Sequence, residues 1–177
     1  MTVTEMLEKP TANKTQFPIE SLLSARLLLE PQIEGDRIYF LSDLAGTLSL
    51  YSIARDGSIP QPLLPGGLAL VNPHIMPGDN FHVLPKLGKV LVMIDKLGDE
   101  NYQPNLIPLG GGIPEPLFGD KYRGEQIACV NCDKEKNIAY FFRDNRKTPD
   151  IECLKVNLET REVTSLGKAS TATRAMA

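Results

Sequence analysis

Long apolar runs are missing from this chain: nowhere does it approach the roughly 18 consecutive apolar residues of a bilayer-spanning helix. The opening MTVTEMLEKPTANKTQ carries Glu5 and Glu8 and no apolar stretch of signal-peptide length, so no membrane partner and a cytoplasmic location are the expectations. Cysteine is scarce and odd in number, three in all, which does not describe a secreted disulfide framework. An excess of positive charge is also lacking. Nineteen Lys and Arg stand against 22 Asp and Glu, and no basic stripe pairs with clustered aromatics, which argues against a nucleic-acid partner. Histidine occurs only twice, so a Ser-His-Asp site would have to use His74 or His82. Neither sits near a nucleophile elbow, and both read as loop or turn residues.

What the chain does have is turns. Gly and Pro, fourteen each, make up about a sixth of 177 residues, a composition that favours many tight connections over long helices. The length suffices for one domain with a real core. Residues 1–16 are polar and aperiodic and read as a flexible arm. Phe17–Leu29 changes character, with Pro18 placed for the first turn of a short helix burying Leu22 and Leu23. Ala25–Glu30 reads as extended, because Pro31 disfavours helix at Glu30.

From Asp36 a pattern begins that returns. Arg37–Leu41 is a nearly continuous apolar run that fits a strand buried on both faces. Ser42-Asp43-Leu44-Ala45-Gly46 is a turn, Leu48–Ile53 a returning strand and Asp56-Gly57 a hairpin signal. Ile59–Leu64, with Pro60 and Pro62, fits an edge strand, since proline donates no ladder hydrogen bond. In a second unit the strands are expected at Leu68–Ile75, Lys89–Ile94, Tyr102–Leu109 and around Ile113-Pro114-Glu115-Pro116-Leu117, with Val83–Leu84 a small apolar pair in a loop-like region. A third unit places them at Ile127–Val130, Asn137–Phe142, Ile151–Val156 and Glu162–Leu166. Ile38 to Val90 is 52 positions and Val90 to Ile138 is 48. Leu63 to Leu117 is 54 and Leu117 to Leu166 is 49. Four short strands per period near 50 describe propeller blades, against an unrelated β-sandwich or meander. The fold class is therefore all-β: a partial β-propeller of about three four-stranded antiparallel blades.

Several constellations invite chemistry. Gly110-Gly111-Gly112 could cradle an anion, but Ile-Pro-Glu-Pro follows where a phosphate loop needs a helix, so a hairpin turn is favoured. Cys129 and Cys132 form a C-x-x-C with Cys153 the only other thiol. On a regular strand positions three apart face opposite ways, so the pair reads as semi-buried structural thiols. Gly98-Asp99-Glu100 beside Asp95 could be an acid/base or cation site, yet lacks the ligand rhythm of a calcium loop. Arg143, Asp144, Arg146 and Lys147 read as a solvated charged hairpin tip. No catalytic, cofactor-binding or metal-ligating residue is assigned, and no cofactor is expected.

Three passages carry a family likeness: the lead-in IESLLSARLLLEPQIEG (Ile19–Gly35), the core IYFLSDLAGTLSLY (Ile38–Tyr51) and the blade DKLGDENYQPNLIPLGGGIPEPL (Asp95–Leu117). They resemble TolB-like propeller repeats and, more closely, the N-terminal propeller of serine peptidases of the prolyl oligopeptidase family, over roughly residues 17–167. The usual Ser-Pro-Asp-Gly turn is replaced by Ile33-Glu34-Gly35-Asp36 and by Lys134-Glu135-Lys136-Asn137. The resemblance implies a propeller that screens substrates for a C-terminal α/β-hydrolase domain bearing a G-x-S-x-G elbow. No Gly-x-Ser-x-Gly occurs here, so no catalytic residue carries over.

The expected organisation is an N-terminal arm and short helix over 1–23, blades over 24–66, 67–119 and 125–167, and a flexible tail over 168–177. Three blades cannot close a ring. The expectation is thus a non-catalytic propeller fragment, partnered by a missing hydrolase domain and open to peptide ligands, or an interaction module that self-associates to complete a ring.

Overall fold

The computed structural model describes residues 26–70, 73, 79–95 and 100–170; the short helix expected near Pro18 lies outside them. Three antiparallel sheets follow one another along the chain. The first blade is β1 (Leu28–Glu34), β2 (Arg37–Ser42), β3 (Ser49–Ala54) and β4 (Gln61–Pro62), paired in that order. The second comprises β5 (Ala69–Leu70), β6 (Phe81–Leu84), β7 (Lys89–Asp95), β8 (Gln103–Pro108) and β9 (Glu115–Pro116). Here β5 and β6 both pair with β7, at its two ends, and together make one interrupted innermost strand. The third is β10 (Gln126–Asp133), β11 (Ile138–Asp144), β12 (Asp150–Asn157) and β13 (Val163–Ser170). The sheets form an open partial propeller.

Alternation along β7 shows why the sheets stack. Val90, Val92 and Ile94 belong to a core shared with Tyr39, Leu41 and Leu50 of the first blade. Leu91 and Met93 point the other way, into a core shared with Ile127, Phe141 and Leu154 of the third. A strand with both faces buried needs an unbroken apolar run, and Lys89–Asp95 supplies one. Full burial of each such side chain contributes roughly 1.5–3 kcal/mol.

Some expectations need correction. Val83–Leu84 is no loop: β6 is buried throughout, with Phe81 and Val83 facing the first blade and Leu84 the third. Its four residues include a histidine and an asparagine precedes them, so too few apolar positions remained to reveal a strand. The edge strands β4 and β9 shrink to two residues each, Gln-Pro and Glu-Pro, because proline stops the ladder on both. β1 starts three residues later than expected and runs through Glu34. A bulge between Leu29 and Gln32, with Glu30 at φ 50°, absorbs Pro31 without ending the strand. β13 extends through Ser170 along β12.

Two tertiary contacts clamp the first blade to the second. Gly111, at φ 87°, lies where an added Cβ would stand 2.8 Å from Leu63 Cα, and Gly112 N donates to Leu63 O at 3.0 Å. The triple glycine is thus a hairpin turn, as expected, whose missing side chains permit backbone contact between blades. On the inner edge the Gln32 amide substitutes for a ladder partner. Its Nε2 donates to Phe81 O (2.7 Å), and its Oε1 accepts from Val83 N (3.3 Å) and from Lys134 Nζ (2.7 Å), so one side chain touches all three blades.

Gly111→Ala is expected to lower unfolding free energy by roughly 2–3 kcal/mol, through positive φ and backbone collision together. Gly110→Ala, where no atom lies within 4 Å of the added carbon, is the control. Gln32→Leu is expected to cost about 1–3 kcal/mol by stranding buried donors and an acceptor. Urea titrations of the three variants check both expectations; equal midpoints for Gly111→Ala and Gly110→Ala would refute the first.

Candidate functional site

Polar side chains of the inner strands meet between blades, and Glu30 is one that sequence patterning did not single out. Glu30 accepts from Asn80 N (3.0 Å) and Nδ2 (3.1 Å), joining the first blade to the second beside Gln32. Partial burial pushes the Glu30 carboxyl above its ordinary range despite those bonds. His82, alternating with Phe81 and Val83 on β6, faces the third blade. Its Nε2 lies 3.5 Å from Cys129 Sγ, and its Nδ1 lies 3.8 Å from Asp79 Oδ2.

This places Asp79, His82 and Cys129 in the order of a nucleophilic triad, but its protonation is wrong for one. Burial pushes the Cys129 thiol up to about 12 and the His82 imidazole down to about 4. Both are therefore neutral near pH 7, and a neutral thiol is a poor nucleophile. His82 is a buried strand residue, not the loop histidine of the sequence reading. His74 lies outside the described residues.

Cys129 and Cys132 do not face opposite ways, as a regular strand would require. A bulge shifts the register between Cys129 and Asn131, so Cys129 opposes Phe141 and Cys132 opposes Ala139, two residues of the core shared with the second blade. Both thiols therefore turn to that face, where burial pushes Cys132 up to about 11. They and Cys153 are unpaired thiols. Among the described residues no three His, Cys, Asp or Glu side chains gather closely enough to hold a metal ion.

The acidic turn and charged hairpin resolve differently from each other. Asp95 Oδ1 accepts from Glu100 N at 3.2 Å and organises its own turn; Gly98 and Asp99 lie outside the described residues. Arg143 is not at the solvated tip. It pairs with Glu125 and Glu152, and its guanidinium carbon lies 4.6 Å from the centre of the Tyr122 ring. Only the tip proper matches the expectation: Arg146 N and Lys147 N donate to Asp144 and Asn145 in exposed turns.

A cleft of about 360 Å³ opens where the first two blades meet. Arg37 and Tyr39, two apart on β2 and so on one face, form one wall, with Glu34 and Asp36 at the β1–β2 turn. Pro85, Leu109 and Gly110 form the other. Arg37 Nη2 donates to Ser52 Oγ (2.7 Å) and Gln61 Oε1 (3.1 Å), while Nε is buried with no partner. Tyr39 is 2% exposed, and burial raises its hydroxyl pKa, so it remains a donor.

A stack of four-stranded blades sharing cores face to face is the architecture of a propeller. In solved structures the same arrangement recurs in a puromycin-hydrolysing peptidase of Mycobacterium tuberculosis (TM-score 0.60, 16% identity), over 80% of this chain and 20% of that one. A prolyl endopeptidase superposes with TM-score 0.61 at 14% identity, over 82% of this chain and 20% of its own. A TolB protein of Agrobacterium tumefaciens does so with TM-score 0.57 at 12% identity, over 82% and 50%. The chain thus spans a fifth of the length of the two peptidases and half of the TolB protein. At these identities the likeness is one of fold. No family model matches the chain, and no curated protein matches it by sequence.

The buried imidazole sets a pH dependence. Its folded pKa of about 4 lies below the ordinary 6.5, so as pH falls the unfolded chain takes the proton first. The contribution is fully present above about pH 6.5 and is lost progressively towards about pH 4, on the order of 3 kcal/mol in all. Urea midpoints measured across that window should fall for the wild type and stay flatter for His82→Leu. Parallel curves for the two proteins would show that another group governs the acid limb.

Proposed function

We propose that this chain is a non-catalytic propeller segment that shapes and gates access to a partner domain, in the manner the resemblance to prolyl oligopeptidase-family propellers implies. The observation that carries the reading is the open stack: the second blade is packed on both faces, whereas the first and third are each packed on one. Two features support the absence of catalysis by the chain itself. The sequence has no Gly-x-Ser-x-Gly, and where Asp79, His82 and Cys129 align among the described residues, burial holds the imidazole and the thiol neutral near pH 7. The three free thiols fit a reducing, cytoplasmic compartment.

A second reading, self-association to complete a ring, is favoured by exposed apolar side chains on both terminal blades. Leu28 and Ile33 are 67% and 61% exposed on the first, and Val130 and Leu166 are 49% and 56% exposed on the third. Light scattering on the purified chain separates the two readings. A discrete dimer supports ring completion; a monomer that stays monodisperse at high concentration sinks it.

Under the first reading the chain is expected to take no label from a fluorophosphonate and to leave peptidyl and acyl chromogenic substrates intact. Hydrolysis abolished by one serine substitution would overturn the non-catalytic assignment.

A further inference from the structure

We propose that two copies of this chain close one ring, the third blade of each packing on the first blade of the other, with the Asn131 amide bonded to the backbone of β1 at Ile33. This deepens the self-association reading and rests on it, fixing which faces meet and which side chain joins them.

The seam inside the chain supplies the template. Gln32 stands opposite Tyr39, just past the bulge of β1, and shares with it the face turned to the second blade. From there its Oε1 accepts from Val83 N on the next innermost strand. Val83, opposite Val90, is 1% exposed beneath the first blade.

Both halves of that seam recur at the two ends of the stack. In the third blade Asn131 stands opposite Tyr140, just past the bulge of β10. Tyr140 alternates with Ala139 and Phe141, which face the second blade, so Tyr140 and Asn131 face away from it. Asn131 is exposed, and its amide makes no hydrogen bond among the described residues. In the first blade Ile33 stands opposite Ile38 as Val83 stands opposite Val90, yet Ile33 is 61% exposed. Its N–H also points the required way. Gly35, at φ 59°, and Asp36 form a two-residue turn closed by Glu34 and Arg37. The closing pair exchanges its hydrogen bonds and the ladder alternates from there, so Ile33 directs its N–H and C=O away from β2.

A second copy is the occupant because the chain carries both halves of the missing seam. The third blade has an unfilled face for a successor, and the first has one for a predecessor. A two-fold axis fills both at once, each contact occurring twice, and twice three blades lies within the range of closed propellers. Leu28 beside β1's bulge and Val130 within that of β10, 67% and 49% exposed, supply apolar surface to bury in each junction.

Sedimentation equilibrium on the intact chain up to about 1 mM, beyond the range of weak specific dimers, tests the junction. The wild type should form a dimer. Ile33→Asp and Val130→Asp, both at exposed positions, should each weaken it about tenfold or more. Asn131→Ala, which removes two equivalent hydrogen bonds per dimer, should weaken it about tenfold. An equimolar mixture of the two Asp variants should associate more tightly than either alone, because one of its two junctions is wild type on both sides. Should Ile33→Asp not fold, Leu28→Asp serves on the same face. A wild type that stays monomeric throughout removes the self-association reading and this junction together. A dimer that survives either Asp variant, or a mixture no tighter than its folded components, leaves self-association standing and overturns the pairing of third blade with first. Asn131→Ala dimerising like the wild type overturns the part given to its amide.

Discussion

Burial of both faces of β7 is the constraint on which the rest of the molecule depends. A sheet with one apolar face can rest against a single neighbour; a sheet whose central strand alternates Val90, Val92 and Ile94 with Leu91 and Met93 needs two. That need holds the first and third blades to opposite sides of the second, and it makes the stack sequential. It also explains the edges. The cores lie between sheets, so the outermost strands β4 and β9 contribute little and can shrink to a Gln-Pro and a Glu-Pro pair.

Polar groups at the inner edge solve a different problem. An innermost strand leaves one side of its backbone without a ladder partner, and in a buried setting those groups require substitutes. Gln32 supplies one for β6, and Glu30 binds Asn80 just before it. The same economy accounts for His82 and Cys129, which meet as neutral groups across a blade seam. Their geometry is that of a reactive pair, and desolvation holds both neutral near pH 7. The seam between the first two blades differs, because there the buried Arg37 Nε has no partner.

Much of the architecture was legible before any coordinates. The long central strands read correctly because their apolar runs are continuous, and the period near 50 residues depends only on their spacing. The Pro-rich edges were legible in kind and not in length. β6 was not legible, since an Asn and a His break its apolar signal and its burial comes from neighbours on both sides. The same-face placement of Cys129 and Cys132 was hidden as well. It rests on one extra residue in the ladder, and a bulge leaves no mark in hydrophobic alternation. Arg143 looked like a tip residue because Arg146 and Lys147 follow it; its carboxylate partners come from 18 positions before and nine after.

Local alternation and turn residues are properties of neighbouring positions, and they suffice to specify repeated, four-stranded antiparallel units; the lack of a Gly-x-Ser-x-Gly motif is likewise read from neighbours alone. Which polar residues meet is set by the stacking of the sheets. Gln32 reaches Phe81 and Lys134, Gly111 touches Leu63, and the cleft forms where Arg37 and Tyr39 face Gly110. These pairs lie on different blades, and their proximity follows from how sheets stack, a non-local consequence of burying both faces of the middle one.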